Sequence, residues 1–134
     1  MTSTMARKVI SVLGAVYLLI GVLGFVPALV VPTAVAGQGL LLGIFAVNAI
    51  HNLAHLVLGA LMLYASTSAA RFWVLSRTLA AVFAVLVVGS VIAPIAEGVA
   101  INLPDTGLHL VSALALAYLA FASRPDEMER PAAA

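Results

Sequence analysis

The side chains able to do chemistry inside this apolar chain are its histidines and one aspartate, and they fall as two pairs. His51 and His55 stand four residues apart in Asn48-Ala49-Ile50-His51-Asn52-Leu53-Ala54-His55. Asp105 and His109 repeat that spacing in Asp105-Thr106-Gly107-Leu108-His109, with Ser112 about one helical turn further on. On a helix, residues four apart share a face with Cβ atoms about 5–6 Å apart, so each pair could chelate a metal ion. Facing one another, His51, His55, His109 and Asp105 would offer three nitrogens and one oxygen. Such a set suits tetrahedral zinc, and imidazole also suits copper, iron and nickel.

At about 100° per residue, Asn48, His51, Asn52 and His55 occupy one arc of a helix, and Gly59 extends it. Polar groups on an apolar helix are costly unless something satisfies them. Tyr17, Ser112, Asn48 and Asn52 are the supporting polar groups within reach of such a cluster. Haem is a second chemistry, held by one histidine of the first pair and by His109. It would need a cavity lined by small residues such as Ala54, Gly59 and Ala113, and Met62 offers a soft ligand or simple core. A proton relay is a third. The structural alternative is interhelical glue, since Asn and His in membrane helices bond across helices for about 0.6 kcal/mol on average.

Several activities are excluded or disfavoured. His51-Asn52-Leu53-Ala54-His55 lacks the Glu of the zinc-protease helix. The chain has no cysteine, hence no thiolate ligand or nucleophile. No phosphate loop or nucleophile elbow occurs. An acid–base enzyme would have only Asp105 and the histidines to draw on, so no catalytic residue is assigned.

The elements that must position these residues follow from composition. Of 134 residues, 64% are hydrophobic and only 8% charged, with a mean hydropathy of +1.21. A soluble domain averages about 25% charged residues, so lipid must solvate this one. A net charge of +1 without a basic aromatic patch argues against nucleic-acid binding. Apolar runs of membrane-crossing length predict an all-α, up-down-up-down integral membrane bundle with spans over 9–31, 38–65, 72–95 and 105–122. Residues 7–122 form its single domain, and 123–134 read as a charged, disordered tail. Val9 to Val31 exceeds a signal-peptide core, so it reads as a retained helix. Gly14, Gly21 and Gly24, with Tyr17, make a stripe suited to close packing inside the bundle, the alternative being a partner interface.

Centring each span on the bilayer puts His51 near the midplane and His109 about 7 Å higher, level with Asn48. In that arrangement His51 and His109 pair most easily, His55 and Asp105 least easily, and Asn48 becomes the expected partner of His109. Arg7, Lys8, Arg71, Arg77, Arg124 and Arg130 all fall on one side of four spans. The positive-inside rule therefore predicts that both termini are cytoplasmic. Arg77 lies close enough to a span end to snorkel.

Three segments carry a likeness to a known family. They are Tyr17 to Pro27, then Leu42 to Gly59 with its HNxxHxxxG, then Asp105-Thr106-Gly107-Leu108-His109-Leu110. Together they resemble a bacterial family of small four-span membrane proteins, domain of unknown function 4383. The resemblance covers about Arg7 to Ala122. It implies a four-helix membrane bundle, expected in a bacterial inner membrane, and supplies no activity. A homo-oligomer or an accessory role in a larger membrane complex is the expected partner chemistry besides lipid.

Overall fold

A computed structural model describes residues 2–92 and 98–123. The expected end of the third span at 95 and, apart from residue 123, the expected tail over 123–134 concern positions outside those residues.

Four helices dominate: α1 Ser3–Leu23, α2 Ala49–Ser66, α3 Ala69–Ile92 and α4 Leu103–Ala122. Each is long and apolar enough to cross a membrane. Between α1 and α2 lies a three-stranded antiparallel meander, β1 Val30–Pro32, β2 Gly39–Leu41 and β3 Phe45–Val47. Its register pairs Val30 with Leu41 and Leu41 with Phe45. The sheet corrects the all-α expectation. A continuous apolar run reads equally as buried helix or strand, and hydropathy alone cannot separate them. Leu42 and Gly43 turn the hairpin with left-handed φ of 54° and 74°. Leu42 is held in this costly conformation by donating its N–H to the Leu29 carbonyl at 2.8 Å.

The span boundaries shift accordingly. The first helix is Ser3–Leu23 rather than 9–31: Thr2 caps its start, accepting the Met5 N–H, and Gly24 closes it ahead of Pro27. The third starts slightly earlier than 72–95, at Ala69, and the fourth at Leu103 rather than 105. The second changes most. It begins at Ala49, not 38, because Asn48 is its N-cap and accepts the His51 N–H at 2.9 Å.

Each helix buries one narrow stripe. Ala6, Ile10, Gly14, Tyr17 and Gly21 form that of α1, and Phe72, Ser76, Leu79 and Phe83 that of α3. The contacts of α1 climb as those of α2 descend. A Cβ at Gly14 would meet the Gly59 carbonyl and Met62 at 2.8 Å, and one at Gly21 would meet Leu56 at 2.8 Å. The glycine stripe therefore packs inside the bundle, as expected. That α2 covers it removes this face as a partner interface. Outward, Val12 and Leu19 on α1 and Val85 and Val91 on α3 are exposed. Uncharged aliphatic faces of this kind fit lipid and not water.

The described cations gather by the ends of α1, α2 and α4 remote from the sheet. Arg7 Nε donates to the Ser66 carbonyl at 2.8 Å, and Arg71 lies 4.6 Å over the Tyr64 ring. Arg77 sits over Trp73 and Phe121, at 5.7 and 5.4 Å, as a snorkelling side chain would.

Candidate functional site

The late start of α2 sets the geometry of the interior. His51 and Asp105 are each the third residue of their helices, and His55 and His109 each the seventh. The two pairs thus lie level. Centred spans predicted a mismatch of about a turn, with His51 easiest to join to His109. Instead His51 faces Asp105, with Nε2 3.8 Å from Oδ1. The ring centroid of His55 lies 4.4 Å from that of His51 and 5.9 Å from that of His109. His51 and His109 are 6.4 Å apart. His51 stands in the first turn of α2 beside the sheet, not at mid-span.

All four helices line the cluster. Tyr17 of α1 packs 4.9 Å from His55, and Phe83 of α3 lies 5.6 Å from His109. Tyr17 and Ser112 satisfy each other through an O–H···O bond of 2.7 Å. Asn48 does not partner His109. Having left the helix to cap it, it donates Nδ2 to the Gly98 carbonyl at 2.6 Å. Asn52 is buried against Gly24, where a Cβ would come within 2.1 Å of its Oδ1.

The two facing side chains are each anchored through their far atom. His51 Nδ1 lies 2.6 Å from the Ala100 carbonyl. A carbonyl only accepts, so Nδ1 carries a proton on this side, and Nε2 is the ring atom turned toward Asp105. Asp105 Oδ2 accepts the N–H groups of Ala46 and Asn102, both at 3.1 Å. In return Asn102 Oδ1 accepts the Asp105 N–H, completing a capping box. Asn102 Nδ2 also donates to the Ile44 carbonyl. Asp105 and Asn102 therefore join β3 to the start of α4. The Asn102-Leu103-Pro104-Asp105 pattern is a readable capping signal. No residue type announces the Ala100 carbonyl.

Six buried side-chain atoms have no hydrogen-bond partner among the described residues: His51 Nε2, both nitrogens of His55, His109 Nδ1, Asp105 Oδ1 and Asn52 Oδ1. Five belong to the His/Asp cluster, and the sixth, Asn52 Oδ1, rests against Gly24. As the side chains stand, no three of the described His, Asp and Glu residues are arranged to hold a metal ion. Of the small residues considered for a haem cavity, Gly59 is packed against Gly14 and Leu18 and Ala113 lies in the core, whereas Ala54 is exposed; Met62 is plain core.

A fold of four membrane-length helices around a buried His/Asp cluster defines a small multi-pass membrane protein. Its sequence matches, over residues 7–122, the family described as Domain of unknown function (DUF4383), and the chain belongs to that family. No curated protein and no solved structure matches it.

Proposed function

We propose that the cluster is an intramembrane transition-metal site, with His51 Nε2 and Asp105 Oδ1 as its fixed ligands and His55 and His109 completing it. The observation that carries this reading is the set of five unpartnered buried atoms on His51, His55, His109 and Asp105. Each such atom left unsatisfied costs about 1–3 kcal/mol, so five together rival the 5–15 kcal/mol net stability of a small domain. Something must satisfy them. The 3.8 Å between His51 Nε2 and Asp105 Oδ1 exceeds a hydrogen bond but can be bridged by one ion about 2.0–2.2 Å from each. A metal-binding histidine usually has its other ring N–H held by a carbonyl or carboxylate, as His51 is held by Ala100. The His55 and His109 rings can turn toward the ion without breaking any hydrogen bond through His55 Nδ1 or Nε2 or His109 Nδ1. Zinc, copper and iron fit such donors. Haem fits poorly, because Tyr17, His55 and Phe83 crowd the histidine pair that would hold it.

The same reading takes the four helices as an up-down-up-down bundle with both termini in the cytoplasm of a bacterial cell, and the site near the outer face of the inner membrane. Support comes from Arg7, Arg71 and Arg77 gathering at the ends remote from the sheet. Oligomerisation or docking on a larger complex would use the exposed aliphatic faces.

The test is zinc added to chelator-treated protein in detergent. At one hundred times Kd, bound zinc stabilises by about 2.7 kcal/mol. Wild type should show this rise in Tm, and His51→Ala and His109→Ala should not. An equal response in all three proteins, or none in wild type, counts against the site.

A further inference from the structure

A cleft of about 360 Å³ opens beside the sheet, between the end of α1 and the start of α2. Phe25, Val30 and Val47 form apolar parts of its wall, and Gln38, Asn48 and Asn52 contribute amides. Asn52 is 2% exposed and lies next to His51 in the chain, on the side of α2 that also carries His55. Its Oδ1 has no partner and rests against Gly24, which also lines the cleft. We propose that this cleft is the port by which a hydrated divalent cation reaches the histidines, and that Asn52 is its gate. The inference rests on the metal reading above.

A gate must separate two compartments, move without losing bonds, and have room to move. Asn52 lines the cleft and shares the buried face of α2 with His51 and His55. No hydrogen bond fixes its Oδ1, which rests so close to Gly24 that a Cβ there would fall 2.1 Å from it, and the space into which the amide can swing is the cleft that Asn52 itself lines. The neutral amides of Gln38, Asn48 and Asn52 can replace water around a cation one contact at a time, as oxygen ligands do for hard ions. The amino end of α2 repels a cation weakly there, and Asn48 lessens this by taking the His51 N–H. Asn52 is not a ligand in this scheme, so it controls rates and not affinity. A gate raises or lowers binding and release together, leaving Kd fixed, whereas losing a ligand speeds release alone.

The experiment follows Co²⁺ absorption in stopped flow, using the full chain in lipid nanodiscs. Asn52→Ala should raise both the association and the dissociation rate about tenfold, and Gly24→Ala, which wedges the amide, should lower both by a similar factor. Should Gly24→Ala fail to fold, Asn52→Ala decides alone, since it introduces no clash. Wild-type rates in Asn52→Ala, or a changed Kd arising from faster dissociation only, overturn the port and leave the metal site standing. Absence of Co²⁺ binding by wild type overturns both.

Discussion

The glycine seam between α1 and α2 and the histidine cluster beside it are built on opposite rules. At the seam, Gly14 and Gly59 let two backbones approach until a single methyl would collide, and the neighbouring core is formed by side chains such as Ile10, Met62 and Phe72. One turn away, Tyr17 and Ser112 still satisfy each other. Then, at His55, His51, His109 and Asp105, the pairing stops although burial does not. A chain able to close its polar groups so economically at Tyr17 has left them open at the cluster. Local departures from an otherwise consistent fold are expected where function is paid for in stability.

Substitutions on either side sharpen that contrast. The largest expected effect is at the seam. In Gly59→Ala the new Cβ would lie 2.7 Å from the Gly14 carbonyl oxygen and the Leu18 nitrogen, backbone atoms that cannot yield without moving a helix. Thermal unfolding in detergent should register a loss of about 3 kcal/mol, the upper end of ordinary overpacking. A neutral result would mean that the helices are less closely packed than described.

His55→Leu should act in the opposite direction. It removes two unpartnered nitrogens and keeps an apolar body, so the metal-free protein should gain about 1–3 kcal/mol while losing metal affinity. If instead the histidine serves as glue, the same variant is destabilised, and the contrast between the two regions disappears. The smallest effect is expected for Tyr17→Phe. It deletes one interhelical hydrogen bond, worth about 0.6 kcal/mol in a membrane bundle, and should leave metal stoichiometry unchanged. A large loss of metal in this variant would draw Tyr17 into the ligand set.

How much of this was legible in the sequence depended on which physical signal each feature leaves. Four apolar runs of membrane length, and the i,i+4 spacing of His51 with His55 and of Asp105 with His109, are periodic and survive into the fold. The glycine stripe was legible for the same reason. The strands at 30–32, 39–41 and 45–47 were not, because Val, Leu, Phe and Ala carry the same hydropathy in a strand as in a helix. That ambiguity hid the start of α2, and with it the level of His51. Asn48 shows the consequence: assigned to a helix face by its spacing, it is the cap at which the helix begins. The Asn102–Asp105 capping box lay in plain view, but its tie to β3 could not be anticipated while β3 was read as helix.

Elemental analysis of the protein, purified gently and without chelators, tests the central claim most directly. The account predicts about one transition-metal ion per chain, lost when His51 or Asp105 is replaced by Ala. Metal-free wild-type protein that stays folded, and whose stability does not change when zinc, copper or iron is restored, would contradict it.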